Sequence, residues 1–336
     1  MNASGPRRPV DALLTHPDRR KAVPVPSSVR LPVISAPVYR RPTPPADMLP
    51  ALVRAMRPRQ WVKNVLVVAA PLAAGRLFEL DVALRSALAF ALFCLAASGI
   101  YLVNDVRDVA SDRLHPIKRL RPIAAGLVPP RLAMLVGAVL LLTAVALALL
   151  FASPALFAVI VTYAVTSLAY CFWLKNQPVI DLAVVSSGFL LRATAGGAAA
   201  GIALSQWFLL VASFGSLFVV AGKRYSEMRL MGAEGATTRR SLQEYSESYL
   251  RFVWSMSASV VVMTYSLWAF EMTGATTSGP WAQISIAPFV LGMMRYAVDI
   301  DRGAAGAPDD IILGDRVLQA FGVSWLVLIA MGLFGA

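Results

Sequence analysis

The chain has 336 residues, 57% of them hydrophobic, and a mean hydropathy of +0.64; an ordinary soluble domain stays near about 45–50% apolar even with glycine counted. The 31 Lys and Arg against 19 Asp and Glu leave a formal charge of +12. Together these exclude a soluble globular domain, and because the cations gather in loops and in the N-terminal tail, they speak for phosphates and anionic headgroups and against nucleic acid.

Residues 1–46 carry repeated prolines (RLPVISAPVYRRPTPPAD) and paired cations at Arg7 and Arg8, Arg19 to Lys21, and Arg40 and Arg41, with no apolar stretch long enough for a signal peptide. The composition predicts a disordered basic tail with a weak attraction to anionic lipid. Residues 47–336 read as one all-α, polytopic membrane domain. Nine apolar segments lie near 60–77, 84–103, 131–151, 154–173, 179–201, 205–222, 250–272, 282–298 and 316–335. The first is the least regular, interrupted by Lys63 and Pro71.

Loop charges orient these segments. Arg107, Arg113, Lys118, Arg119, Arg121 and Arg131 follow the second span, Lys175 the fourth, and Lys223, Arg224, Arg229, Arg239, Arg240 and Arg251 the sixth. The loops at 152–153, 201–205 and 273–283 carry no charge. The positive-inside rule then predicts a cytoplasmic N-terminus and, by parity, an extracytoplasmic C-terminus. The mixed loop 76–85 and the acidic loop 299–315 blur the pattern without reversing it. Cys94 and Cys171 both fall inside apolar runs, as packing residues do.

The densest charge is NDVRDVASDRLHPIKRLRP at 104–122, directly after the second span. On a helix at about 100° per residue, Asn104, Asp108, Asp112 and Asp105 project within an arc of roughly 100°. Carboxylates crowded at a low-dielectric boundary repel one another unless a cation neutralises them. Oxygen donors of this kind suit Mg²⁺, whose shell is usually completed by water and substrate phosphates. Arg113, His115, Lys118, Arg119 and Arg121 then offer donors to phosphate oxygens. The competing reading is a solvated loop of i,i+4 ion pairs; against it, the acids share one face, and Pro116, Pro122 and Gly126 shape the loop.

Other polar positions are less specific. Lys63 and Asn64 are placed to donate to phosphate near the bundle mouth, or Lys63 to snorkel beside Trp61. Tyr170 and Lys175 close the fourth span, where an interfacial pair or a contact to a lipid phosphate is equally natural. Arg192 lies inside the fifth span and needs a partner, either Asp181 or a substrate phosphate. Arg295 and Tyr296 end the eighth span as interfacial residues do.

Asn104-Asp105-x-x-Asp108-x-x-x-Asp112-Arg113, continued by His115-Pro116, Lys118 and Arg121-Pro122-Ile123-Ala124-Ala125-Gly126, resembles the first signature of the UbiA superfamily of intramembrane prenyltransferases. More narrowly it is similar to the decaprenyl-phosphate phosphoribosyltransferase branch. RPRQWVKN at 57–64 with Pro71-Leu72 matches the opening of that branch, and Asp181, GFLLRATAG at 188–196, Ser205 and Trp207 match its middle. GKRYSE at 222–227, Pro288-Phe289, Arg295-Tyr296 and PDDIILGDRVL from Pro308 match its end.

The resemblance implies nine helices in a UbiA-like bundle with a central cavity open to the cytoplasmic face and to the lipid. It implies Mg²⁺ held by Asn104, Asp105, Asp108 and Asp112, the three aspartates being catalytic, with Lys118 and Arg121 on the pyrophosphate. Aromatic-acceptor members carry a second aspartate motif after the sixth span. Lys223, Arg224 and Glu227 stand there instead, which suits the 5-phosphate of phosphoribosyl pyrophosphate. The implied partners are phosphoribosyl pyrophosphate, a polyprenyl phosphate and bilayer lipids, at the cytoplasmic face of a bacterial plasma membrane, as a step toward cell-wall arabinan; a homo-oligomer is left open. One rival reading is a conventional prenyltransferase, disfavoured by the missing second acid pair. Another is a transporter or lipid carrier, disfavoured by the scarcity of ionisable groups and broken helices at mid-membrane.

Overall fold

In the computed structural model, which describes residues 45–115, 117–234, 242, 244–275, 279–306 and 308–334, no strand occurs among the described residues. The expected disordered tail lies outside them, apart from Pro45 and Ala46. Helix α1 (Pro45–Ala55) opens on a proline and is followed by a 3-10 segment, Pro58–Val68, and by α2 (Ala69–Ala73). Then come α3 (Leu80–Arg107), α4 (Val109–Leu114), α5 (Pro130–Phe151), α6 (Pro154–Phe172), α7 (Ile180–Ala200) and α8 (Gln206–Glu234). The chain ends with α9 (Glu247–Ala275), α10 (Trp281–Ile284), α11 (Ile286–Asp301), α12 (Pro308–Gly314) and α13 (Arg316–Phe334).

The ends of these helices follow from local chemistry. Ser153 caps α6 by accepting the Leu156 amide at 3.1 Å, with Pro154 in the first turn. Gly201 closes α7 at φ 67°, a conformation open to glycine. Asp315 caps α13 by accepting the amides of Val317 and Leu318 at 2.9 and 3.2 Å, and takes Arg295 Nε on its other oxygen at 2.6 Å. The Leu318 amide foremost, with that guanidinium, holds the Asp315 carboxyl below the usual carboxylate range.

Among the described residues seven helices are long and apolar enough to cross a bilayer: α3, α5, α6, α7, α8 over Gln206–Arg229, α9 over Glu247–Glu271, and α13 over Arg316–Leu333. The other two expected segments take different forms. The first is the 3-10 segment with α2, whose 11 residues of 3-10 geometry rise about 22 Å. Its three-residue period brings Asn64 and Val67 to one buried face, and Ala70 of α2 is buried after them. The eighth is broken at Ser285, whose hydroxyl bonds Ala282 O at 2.6 Å, leaving α11 with 16 residues.

Helix α3 is central: its most apolar stretch is 67% buried, against 11% for α13. Outward positions such as Leu135, Val139, Leu142 and Leu149 on α5 are large, apolar and exposed, as a lipid-facing surface requires. Helix α3 packs along α5, and α8 along α9. Helix α7 joins the two groups, giving Ala195 and Ala199 to a core with Phe93, Ile160 and Tyr163, and Leu182 to a core with Phe218, Tyr225, Leu250 and Ile300.

Small residues set how closely these elements approach. A Cβ on Gly99 would stand 2.7 Å from the carbonyl oxygen of Gly137 on α5. A Cβ on Gly196 of α7 would overlap the carbonyl oxygen of Val67 and come within 2.7 Å of Pro71 Cδ. Both obstacles are rigid, so Gly196→Ala is expected to destabilise the protein by about 1–3 kcal/mol or more, read as a lowered thermal midpoint in detergent. Gly215→Ala on α8, whose nearest neighbour would be Val261 Cγ2 at 3.9 Å, is expected to leave that midpoint unchanged or raise it. Equal midpoints for the two variants would contradict the close contact of α7 with the 3-10 segment.

Candidate active site

The acidic run stands where α3 ends. The expected single helix is interrupted at Asp108 (φ −93°, ψ 2°), between α3 and α4, although amide-to-carbonyl bonds from Asp108 to Asn104 (2.9 Å) and from Asp112 to Asp108 (2.8 Å) carry the ladder across. Asp105 and Asp112 are 2% and 4% exposed and converge on one guanidinium. Arg121 Nη1 donates to Asp112 Oδ2 at 2.7 Å and to Asp105 Oδ1 at 3.2 Å. Asp105 Oδ1 also accepts from Arg57 at 2.5 Å. Asp108 turns instead to Lys175, which donates to its Oδ1. The three carboxylates therefore divide among three cationic partners, Arg121, Arg57 and Lys175, and Asn104 is half-buried.

Lys175 sits on the short turn after α6, five residues beyond Tyr170. Tyr170 faces the second half of the bundle, where its hydroxyl accepts from Arg224 Nη2 at 3.3 Å. Arg224 is buried and also reaches Glu227 Oε2 at 2.9 Å and Asp181 Oδ2 at 3.3 Å; Lys223 Nζ lies 3.9 Å from Glu227. Asp181 is fully buried and accepts a second bond on Oδ1, from Tyr245, at 2.5 Å. Burial, reinforced by that bond, pushes the Tyr245 phenol far above its ordinary range, so it keeps its proton and remains a donor.

The cations after Asp112 are partly committed to loop structure. Arg113 is exposed, and its Nε holds the carbonyl of Ala124 at 3.2 Å. His115 Nδ1 accepts the amides of Ile117 and Lys118 at 3.2 and 3.3 Å. Burial and then Lys118 lower its pKa below the ordinary histidine value, so the ring is neutral at pH 7 and Nε2 carries the proton. Lys118 is half-buried beside it.

Two expectations are corrected. Asn64 does not stand at the bundle mouth: it is 1% exposed, its amide nitrogen donates to Cys94 Sγ at 3.2 Å, and its oxygen accepts from Arg192 Nε at 2.7 Å. The 3-10 period turns it inward while Lys63, one position away, stays half-buried. Nor does Arg192 pair with Asp181, which lies about 16 Å away along α7 by helical rise. Its partners are Asn64, Tyr163 Oη at 2.8 Å and Gly188 O at 2.6 Å.

Three residues of this region carry weak sequence signals. Arg57 lies in RPRQWVKN before Pro58, a context that disfavours the right-handed helical region, and it adopts φ 57°, ψ 59°. Its guanidinium lies 5.0 Å from the Tyr101 ring centroid. Asp181 is visible as a charge at a span end, but its buried pairing is not. Tyr245 lies in a polar stretch with nothing to mark it.

The donor chemistry suits a hard divalent ion, since Asp105, Asp112, Asp108 and Asn104 offer only oxygen from their carboxylate and amide carbonyl groups. Asp105 and Asp112 already converge on one positively charged group, the Arg121 guanidinium. Among the described residues no three acid, imidazole or thiol groups form a ready-made cage. An ion here would take one or two of these carboxylates and complete its shell with water and phosphate, the ordinary habit of magnesium.

The profile of the UbiA prenyltransferase family matches residues 65–309. The decaprenyl-phosphate phosphoribosyltransferase of Corynebacterium glutamicum is 52% identical over 297 residues, covering 87% of this chain and 89% of that protein. Its counterpart of the same name in Mycobacterium tuberculosis strain H37Rv is 53% identical over 290 residues, covering 85% and 95%. A solved UbiA homolog from Archaeoglobus fulgidus, bound to GPP and Mg²⁺, superposes with a TM-score of 0.61 over 85% of this chain and 100% of that one; at 18% identity it speaks for the fold alone. Apolar helices, an acid-bearing bundle end and this breadth of match lead to one conclusion: the chain is a multi-pass membrane protein that belongs to the UbiA prenyltransferase family.

Proposed function

We propose that the chain transfers 5-phosphoribose from phosphoribosyl pyrophosphate to decaprenyl phosphate and releases pyrophosphate. The observation that carries this reading is identity above half, over most of both chains, to relatives named for that activity. The charge arrangement agrees with it. One end of the bundle gathers acids that suit a metal, and it gathers cations from both halves that suit phosphates. We place that end at the cytoplasmic face of the bacterial inner membrane, in a nine-span bundle with a cavity open to the lipid, the 3-10 segment with α2 and α11 serving as the two irregular spans.

The bond from ribose C1 to the pyrophosphate oxygen breaks with its electron pair on the leaving group, and a lipid phosphate oxygen forms the new bond to C1. The attacking oxygen is already anionic near pH 7, so no base is required. The barrier then depends on stabilising the leaving charge and aligning the attacker. Asn104, Asp105, Asp108 and Asp112 would hold Mg²⁺, which when bound supplies charge neutralisation at the pyrophosphate. Arg121, the guanidinium that Asp105 and Asp112 share, and Lys118 donate to pyrophosphate oxygens. Lys175 and Tyr170 lie between the acids and the second half, where the lipid phosphate is to be aligned. Lys223, half-buried beside Glu227, takes the 5-phosphate. With fixed cations at 223 and 224 and Glu227 already paired to Arg224, the second half of the bundle is better suited to a phosphate than to a second metal.

Membranes given labelled phosphoribosyl pyrophosphate and decaprenyl phosphate are expected to move label into the organic phase only with Mg²⁺; transfer undiminished by a chelator would remove the metal. Asp108→Ala and Asp112→Ala are each expected to abolish transfer while the protein elutes as the wild type does from a sizing column in detergent. Full activity in either variant would take that residue out of the site. Lys223→Ala is expected to raise KM for phosphoribosyl pyrophosphate by about tenfold, the scale of one charged hydrogen bond, and to leave KM for the lipid unchanged.

A further inference from the structure

One buried hydroxyl ties together three elements at the charged end of the bundle and has no part in the chemistry above. Tyr245, from the connection between α8 and α9, is 8% exposed. Its phenol oxygen accepts the Val179 amide at 2.6 Å, and its proton goes to Asp181 Oδ1 at 2.5 Å. Its ring stacks on Tyr249, with centroids 5.6 Å apart and planes 4° from parallel.

Val179 is the middle residue of a γ-turn, at φ 65° and ψ −48°, closed by the Ile180 amide on Pro178 O at 2.7 Å. A β-branched side chain is strongly disfavoured there, so the turn persists because its surroundings hold it. The Val179 amide donates its hydrogen bond outside the turn, to the Tyr245 hydroxyl. Asp181 passes the constraint onward: its Oδ2 receives Arg224 Nε, and Arg224 in turn fixes Glu227, beside which Lys223 stands. A shift of the turn would therefore move the cations of the second half.

We infer that Tyr245 is a positioning residue, a latch that holds the strained turn at Val179 and, through Asp181, Arg224 and Glu227, sets the position of the phosphate-binding Lys223. This rests on the phosphoribosyl-transfer reading. Removing the hydroxyl leaves the ring packed but frees the turn to relax. Glycine at 179 adopts a positive φ at no steric cost and so holds the turn without the latch.

The test uses full-length protein in membranes, with initial rates for wild type, Tyr245→Phe and the double variant Tyr245→Phe with Val179→Gly. Tyr245→Phe is expected to raise KM for phosphoribosyl pyrophosphate by about tenfold, with kcat within about threefold and KM for decaprenyl phosphate unchanged. Adding Val179→Gly is expected to bring that KM most of the way back. A merely structural tyrosine would instead lower the thermal midpoint and both kinetic constants, with no recovery from glycine. If wild type transfers phosphoribose and Tyr245→Phe keeps its KM, or glycine gives no recovery, the latch is wrong and the function stands. If wild type transfers none, the function falls and the positioning role falls with it.

Discussion

A charged carboxylate buried at the end of a lipid-embedded bundle is costly to keep unless a cation stands against it. Asp105, Asp112 and Asp181 are all nearly or fully buried, and each touches a guanidinium. Such pairs are poor sources of stability, because desolvation consumes most of the Coulomb gain, yet losing one partner leaves a charge that the interior cannot tolerate. Their value here is positional. Asp105 and Asp112 share Arg121, whose side chain is about a quarter exposed, so that pairing reaches the surface, whereas Asp181 and Arg224 are paired in the interior.

The same pairings stitch together parts of the chain that are distant in sequence. Arg57 brings the 3-10 segment to α3, Lys175 brings the turn after α6 to the α3–α4 break, and Arg224 brings α8 to α7. Deeper in the bundle the contacts are made by glycine and alanine, which draw backbones close without specifying direction. Charge sets the registration at one end, and small residues set the distance along the rest. Tyr170 and Lys175 stand at the join, one facing each half.

These features were unevenly legible in the sequence. Charges are scarce in so apolar a chain, so the acids at 105, 108 and 112 and the cations around them announced themselves. Seven spans were equally plain. Two others were not, because hydropathy averages over a window and is blind to whether the backbone turns at 3.6 or 3.0 residues, and a single Ser285 in an apolar run leaves the average untouched. The 3-10 period was present in the spacing of Trp61, Asn64 and Val67, but it is detectable only once that geometry is considered. Pairings were hardest. That Asp181 is out of reach of Arg192 follows from helical rise alone, whereas its actual partners, Arg224 and Tyr245, come from across the bundle and from a loop without periodicity.

Arg192 shows the second way this interior manages charge. Among the described residues no carboxylate lies within ion-pairing distance of it. Its protons go instead to Asn64, Tyr163 and the Gly188 carbonyl, and its guanidinium lies 4.7 and 5.4 Å from the ring centroids of Tyr163 and Phe93. Dipoles and ring quadrupoles stabilise a cation without cancelling it. A net positive charge is thereby kept inside the bundle, about 16 Å deeper than Asp181 by helical rise, where the low dielectric carries its field further than water would.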